Sequence, residues 1–471
     1  MQPLPEFLFS VFALSRPRGH GFGDQPPCEA WTSERGLEIA AILRDVNDSK
    51  YGVLAMRRRA DGVWAIVFEK HGYEKVDDAR SAAAVELNGE KPLEPLPPGG
   101  IRRPALHDFR GKPPSKVFQL LAQPSHQNAA WLLNQLYLAL PNPDRNWAAD
   151  CQTENFHTRL WEAILLACFR EQGLLVEQPE KSPDFRIESR QGGDAWVEAV
   201  TANPAQRFEP VNARPSKPPD SPDDIFRGDA ALRYAKTIGS KLQRGYPEFS
   251  HVIGKPFALA IADFHAPGSM VWSREALIGY LYGFSAKAVV DGATRVAKAS
   301  NVERLAGVSG FPSGLFRNAD HGKVSAIIFS NAATISKLNR IPISAGAPSD
   351  HRYVRFGRFY DRTPGALEGI PFCLDVASDE YRCLWPGGFE PWSAELEVFH
   401  NPFASYPLPH EVLPEAAHWF ERNGVMDNAF YYDKSILWSR TLVMNKKDPL
   451  PNYNTMLAYL ESNPNPDEAD F

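Results

Sequence analysis

Apolar and polar positions follow three successive regimes along this chain. In the first, strand-length apolar runs cover Leu37–Asp45, Tyr51–Arg59 and Val63–Lys70. Asp48-Ser49-Lys50 and Ala60-Asp61-Gly62 separate them, which predicts an antiparallel meander, closed by a short helix over Val76–Leu87. In the second regime the period becomes helical. Val117, Leu120 and Leu121, then Ala129, Leu132, Leu133 and Leu136, recur at spacings of three and four. A further helix is expected from Asn155 to Gln172, and it is apolar nearly all round, as a buried helix is. Strands are then expected over Asp184–Ser189 and Ala195–Ala202, joined by the turn Gln191-Gly192-Gly193-Asp194. A Pro/Asp-rich loop (203–226) and a helix (Gly228–Gly245) follow. Lys255–Phe264 is a near-continuous apolar run suited to the middle of a sheet. Val324–Ser330 repeats it and leads into a helix over Ala332–Arg340. In the third regime, from 345 onwards, proline, aromatics and short runs mix without an assignable order.

These regimes divide the chain into a β-rich module (1–90), a linker (91–115), an α/β core (116–345) and an irregular C-terminal extension (346–471), within the range of domain counts that 471 residues allow. The linker holds seven prolines and more basic than acidic residues: Lys91, Arg102, Arg103, Arg110 and Lys112 against Glu94 and Asp108. Arg57-Arg58-Arg59 reads as a solvated strand end. The tail Asn463–Phe471 is acidic and expected to be loose. Fifty-one basic and 57 acidic residues give a net charge of −6, which excludes a uniformly basic nucleic-acid coat. The five cysteines form no CxxC pair, so neither a disulfide framework nor a cysteine-rich zinc site is expected. The apolar run Phe7–Leu14 has no basic region before it, and Arg16 and Arg18 follow it, the reverse of a secretory signal. No run approaches the ~18–20 apolar residues of a membrane span, so a cytoplasmic protein without a membrane partner is expected. P-loop, GxSxG, HExxH and dinucleotide motifs are absent.

Candidate chemistry gathers on the buried helix and the hairpin after it. Glu162 sits on an apolar stripe, where a carboxylate is costly unless a metal, a cation or a donor compensates it. The simpler alternative is a buried Glu paired with an Arg. Glu198 shares a strand face with Trp196 and Val200, and a turn near residue 192 can bring Asp184 beside it. Adjacent carboxylates repel unless a cation lies between them. Oxygen donors of this kind suit Mg²⁺ (or Mn²⁺), which can activate water and stabilise a phosphodiester transition state. A metal-free acid–base pair for glycoside hydrolysis remains an alternative.

A helix glutamate, Pro183-Asp184 at a strand start and Glu198 on the next strand resemble the PD-(D/E)XK nuclease superfamily, over roughly 116–345. The N-terminal meander resembles a module that accompanies a bacterial branch of it. The resemblance implies a restriction-endonuclease-like mixed sheet flanked by helices. It also implies Mg-dependent endonuclease or exonuclease activity, with Asp184 and Glu198 as metal ligands and Glu162 as a further ligand or water orienter. A role in defence against foreign DNA follows from the resemblance alone. The family's lysine, two positions after the acidic residue, is Val200 here. Lys241 is the candidate replacement. It lies about 60° from the centre of the apolar face made by Ala231, Tyr234, Ala235, Ile238 and Leu242, so its amine can reach the core edge. A surface lysine is the alternative. Gln243-Arg244-Gly245-Tyr246 is similar to the Gln/Tyr signature of the exonuclease branch, with spacing one residue short. Loss of the lysine would leave a second reading, a non-catalytic nucleic-acid-binding or assembly protein on the same fold.

Nucleic acid, DNA before RNA, would need a local positive surface. Residues 323–361 carry six basic and two acidic groups. Within them Lys337, Arg340, Arg352 and Arg355 are the candidate phosphate contacts, interleaved with Tyr353, Phe356, Phe359 and Tyr360. A solvated edge over buried aromatics is the alternative. Asp263 and His265 end a buried strand, either as functional groups or as a plain polar terminus. A homodimer is left open.

Overall fold

The computed structural model describes residues 1–107, 111, 113–204, 219, 222–291, 294–305, 311–363, 366, 368–422 and 425–462. Most of the 203–226 loop, part of the linker and the acidic tail from Asn463 lie outside the described residues.

The N-terminal sheet is antiparallel and runs in chain order: β1 (Gln2–Pro3), β2 (Pro27–Thr32), β3 (Glu38–Arg44), β4 (Tyr51–Arg58) and β5 (Trp64–Tyr73). Helices α1 (Glu6–Ala13) and α2 (Val76–Leu87) cover its two faces. Ile39, Ala41 and Leu43 cluster with Phe9 of α1, while Ala40 and Ile42 cluster with Ala79 and Ala83 of α2. Burial on both faces explains why β3 is apolar at successive positions rather than at alternate ones. The apolar run at Phe7–Leu14 is thus an amphipathic helix. Phe9 meets the meander, and Phe7, Val11 and Leu14 meet the main core.

The arginine triplet differs from expectation. Arg57 is buried among Glu38, Glu86 and Glu94. Arg58 lies over the Trp64 ring, 3.8 Å from its centroid, and donates to Gln135. Arg59 pairs with Asp61. They face inward because the linker and the next helix close over this strand end. Glu94 bridges to Arg59 through the backbone.

After the linker come α3 (Lys116–Gln119), α4 (Gln127–Ala139), α5 (Trp147–Gln152) and α6 (Phe156–Glu171), then strands β6 (Leu175–Glu177), β7 (Phe185–Glu188) and β8 (Asp194–Ala202). Helices α7 (Pro222–Arg227) and α8 (Asp229–Leu242) lead into β9 (Phe257–Asp263). Helix α9 (Arg274–Tyr282), the hairpin β10 (Phe284–Asp291) and β11 (Thr294–Asn301), β12 (Ala326–Ser330) and α10 (Ile335–Ser344) follow. The last stretch holds β13 (His351–Phe359), β14 (Ile370–Asp375), α11 (Asp379–Arg382), β15 (Glu397–His400), β16 (Ala417–Arg422), β17 (Val425–Ala429), β18 (Ile436–Asn445) and α12 (Tyr453–Ser462).

The central sheet has eight strands in the order β17-β16-β15-β12-β9-β8-β7-β6. The pairs β8–β9, β9–β12 and β15–β16 are parallel and the rest antiparallel, so the protein is mixed α/β. Strand β9 is buried along its whole length. Its Ala258, Ala260 and Ala262 face the α6 side, and Phe257, Leu259 and Ile261 face the α8–α9 side. Small residues let α6 approach closely enough for Trp161 Nε1 to donate to the Ala260 carbonyl at 2.9 Å. The C-terminal extension is not irregular. Strands β15, β16 and β17 complete the central sheet, and β14-β13-β18 form a separate three-stranded sheet. No helix among the described residues is long and apolar enough to cross a membrane.

Candidate active site

Strand β8 is nine residues long and its neighbour β7 only four. Their ladder ends at the pair Phe185–Val197. Beyond it the outer edge of β8 still presents an N–H that needs an acceptor. The carboxylate of Asp184 supplies it, with Ala199 N donating to Oδ2 at 2.8 Å. The hairpin that brings Asp184 there turns at Gly192, whose φ of +97° suits glycine. Alternation along β8 sends Val197 and Ala199 toward α6 and sends Trp196, Glu198 and Val200 toward α8. Asp184 therefore stands at the sheet edge beside Glu198, as the spacing predicts.

Helix α8 packs Ala231, Tyr234, Ala235 and Ile238 against the sheet. In its last turn Lys241 reaches over the edge of that face, and Nζ donates to Glu198 Oε1 at 2.6 Å. The chain then reverses at Gly245, which has a left-handed backbone (φ +66°). This reversal returns Tyr246 to the same oxygen, its hydroxyl donating to Glu198 Oε1 at 2.7 Å. Arg244 Nη1 donates to the Tyr246 hydroxyl oxygen at 3.1 Å. Burial and the bond to Glu198 hold the Tyr246 phenol well above its usual range, so it stays a donor.

Glu162 takes the arginine-paired alternative. Arg159 Nη1 lies 3.0 and 3.1 Å from its two oxygens, and Trp147 Nε1 donates to Oε2 at 2.8 Å. Burial raises its pKa against the pull of Arg159. With both oxygens engaged, it is not poised as the further metal ligand expected above. Trp147 carries no motif that would have marked it beforehand.

Burial, and then the neighbouring carboxylates Glu162 and Glu198, raise the Asp184 pKa well above its usual value. Glu198 has a complementary feature. Its Oε1 receives two donors, while its buried Oε2 has no hydrogen-bond partner among the described residues. An orphaned carboxylate oxygen beside a second crowded carboxyl group fits a hard divalent cation. No group of three or more His, Cys, Asp or Glu side chains is placed to hold a metal among the described residues. Two carboxylates are nonetheless enough for Mg²⁺, which completes its shell with water and phosphate oxygens.

The candidate phosphate contacts lie elsewhere and mostly inside. Lys337, Arg340 and Arg355 are buried, together with Glu390 and Glu395. Lys337 Nζ donates to Glu395 Oε2 at 2.8 Å, Arg340 Nη2 to Glu390 Oε1 at 2.9 Å, and Arg355 pairs with both glutamates. Burial pushes the Lys337 pKa down to about 8, and the three cations outweigh burial to hold Glu390 at about 2. Arg352 is part-exposed and forms an ion pair with Asp375, Nε to Oδ2 3.1 Å. Tyr353, Phe356 and Phe359 are buried as well. This cluster fastens α10 to the three-stranded sheet, so the positive groove expected over 323–361 does not form. The interleaved pattern came from a strand whose arginines meet partners later in the chain: Asp375 for Arg352, Glu390 and Glu395 for Arg355, and Glu368 for Arg358.

Asp263 and His265 hold one another at the end of β9. His265 Nδ1 lies 2.7 Å from Asp263 Oδ1, and Ser269 Oγ donates to Asp263 Oδ2 at 2.7 Å. This is a satisfied polar terminus. Comparison of the chain with protein-family models, with curated proteins and with solved structures finds no match. The functional reading therefore rests on the geometry of the site.

Proposed function

We propose that the chain is a divalent-cation-dependent nuclease with a restriction-endonuclease-like core, hydrolysing phosphodiester bonds at Asp184, Glu198 and Lys241. One observation carries it. The Lys241 amine lies on the Glu198 carboxylate beside Asp184, although the position two residues after Glu198 holds valine. A lysine arriving from a helix replaces the one missing from the strand.

Asp184 and the free Oε2 of Glu198 would hold Mg²⁺ or Mn²⁺. A cation there supplies charge neutralisation at the scissile phosphate and a lower pKa for water. The remaining work falls to the chain. Tyr246 and Lys241 fix the Glu198 carboxylate through Oε1, so its other oxygen keeps one orientation. The Ala199 N–H does the same for Asp184. The Lys241 ammonium has two further protons with which to orient the attacking water. That water adds to phosphorus, one P–O ester bond breaks, and the departing oxygen takes up a proton.

The test is incubation with plasmid, linear duplex, single-stranded DNA and RNA, with and without Mg²⁺ or Mn²⁺, beside Asp184→Ala. Cation-dependent cleavage lost in the variant supports the reading. Equal cleavage by both proteins overturns the site. Binding without cleavage of any substrate favours a non-catalytic nucleic-acid-binding protein.

A further inference from the structure

We infer that the substrate of this site is a single strand of polynucleotide, held in the cleft between the proline-rich linker and the loops around residues 141–145 and 178–184. The inference rests on the nuclease reading for its chemistry and on the cleft for its substrate class.

The cleft has a volume of about 1000 Å³, and Trp147, Glu162 and Asp184 are among its lining residues. It therefore reaches the candidate active site at Asp184, from the α6 side, while Glu198 and Lys241 lie toward α8 and are not among its lining residues. Its far wall is residues 97–104 of the linker, which are fixed in place. Arg103 donates from Nη1 to the carbonyls of Tyr137 and Leu138, both at 2.8 Å, and from Nη2 to that of Leu140 at 2.9 Å. These carbonyls belong to the last turn of α4 and the residue after it, where intrahelical donors run out; that of Tyr137 also accepts from Leu140 N–H at 3.4 Å. Tyr137 returns a bond from its hydroxyl to the Pro104 carbonyl at 3.0 Å. The cleft is thus preformed.

Three exposed cations of the cleft stand outside its ion pairs. Arg159 pairs with Asp144, Asp150 and Glu162, one cation against three carboxylates, and Arg59 pairs with Asp61. Arg103 is taken up by the α4 carbonyls, and its backbone N–H donates to Asp61 at 3.0 Å. Arg102, Arg145 and Lys181 line the cleft, are exposed, and have no ion-pair partner among the described residues. Glu180 and Asp184 are the lining carboxyl groups outside the ion pairs, against these three cations. Arg102, on the linker, and Arg145 and Lys181, on the facing loops, are suited to phosphates passing between them. Pro97, Pro104, Pro141, Pro143 and Pro179, with the exposed Ile101, supply rigid apolar walls for base faces.

Size selects the strand. A cleft of this volume lies at the upper end of pockets that enclose a small molecule, which is room for a few nucleotides of one strand. A duplex, with two backbones on either side of its paired bases, does not fit within such a volume.

Binding is read by fluorescence anisotropy in EDTA, so that no strand is cut. The probes are a 12-nucleotide single-stranded DNA, the same sequence in RNA, the matching duplex and a mononucleotide competitor. The wild-type chain is compared with Arg102→Glu/Arg145→Glu/Lys181→Glu, whose folding is checked by circular dichroism. We expect a single strand, DNA or RNA, to bind at least about tenfold more tightly than the duplex. The triple variant should lose about tenfold or more, with its salt slope shallower by about 2, as three lost phosphate contacts imply. Equal duplex binding, an unchanged triple variant, a mononucleotide that displaces the strand at equal concentration, or no binding at all each overturns the inference. Failure of the nuclease reading has another signature: strand binding that depends on the three cations, with no Asp184-dependent cleavage in Mg²⁺. Asp184-dependent cutting of duplex that ignores the triple variant has the converse meaning.

Discussion

Lys241 and Glu198, 43 residues apart in the chain, meet at 2.6 Å across the edge of the central sheet. The ammonium belongs to the last turn of a helix and the carboxylate to the middle of a strand, so neither can shift without the other. Lys241→Met should lower the single-turnover cleavage rate by about 10²–10⁴-fold, the usual worth of one positioned proton-handling group. Substrate affinity in EDTA should not change. Adding Val200→Lys to that variant should restore part of the rate, because residue 200 shares the Glu198 face of β8. Rates measured under excess enzyme check both; a Lys241→Met variant that cuts at the wild-type rate removes the residue from the mechanism.

Asp184 should cost the folded protein stability at neutral pH. Its pKa is raised in the fold by burial and by two carboxylates, so the native state holds its proton more tightly than the unfolded chain. That preference favours folding below the ordinary Asp value of about 3.9 and is lost as pH rises toward the raised native pKa. Asp184→Asn keeps an acceptor for the Ala199 N–H and removes the charge. The variant should melt a few °C higher at pH 7, with the gap closing near pH 4, while cleavage is abolished. Added Mg²⁺ should raise the wild-type melting temperature and leave that of the variant unchanged. Thermal scans across pH, with and without the cation, decide the matter.

His400 and His418 predict a loss of stability in mild acid. Their rings are joined at 2.8 Å, and His418 Nε2 lies 2.8 Å from the Leu413 carbonyl, so the chain of bonds needs neutral imidazoles. Burial, then neighbouring histidines, push His400 to about 3, and burial pushes His418 to about 4. Both are depressed, so the unfolded state binds the extra protons. Stability should be full above about pH 6.5 and should fall as pH drops toward 3–4. Urea midpoints between pH 7 and pH 4 should decline, and His400→Phe should flatten the slope.

The buried cluster around Glu390 and Glu395 carries the opposite lesson about charge. Arg355→Met leaves two buried glutamates with one cation fewer and should destabilise by about 3–5 kcal/mol in chemical denaturation. Nucleic-acid affinity per folded molecule should not change, because Arg355 is wholly enclosed. A weakened affinity with unchanged stability would return Arg355 to a surface role.

The site was legible where local periodicity alone decides placement. The alternation of β8 and a glycine turn were enough to set Asp184 beside Glu198, and the helical wheel of α8 was enough to aim Lys241. Legibility failed where partners come from far along the chain. The apolar run at Phe7–Leu14 gave no sign of the two cores it joins. The arginines of β13 alternate with aromatics as a nucleic-acid surface does, yet Glu390 and Glu395 turn Arg355 inward, and Arg352 and Arg358 pair with Asp375 and Glu368. Glu162 read equally well as ligand or ion-pair partner, because Trp147 and Arg159 reach it through tertiary packing. The cleft was not visible at all, since its walls join the linker to loops on either side of α6. Only the positive balance of the linker hinted at it.

The clamp by which Arg103 ties the linker to the end of α4 has a bearing on how such a protein diversifies. The linker is pinned upstream as well, where Glu94 bridges to Arg59 of the N-terminal module. What the cleft admits is thus set by a segment that contributes nothing to the carboxylate–lysine cluster. Substitutions in that segment can retune the choice of strand while the hydrolytic apparatus stays untouched, which lets selectivity and chemistry vary as separately heritable traits.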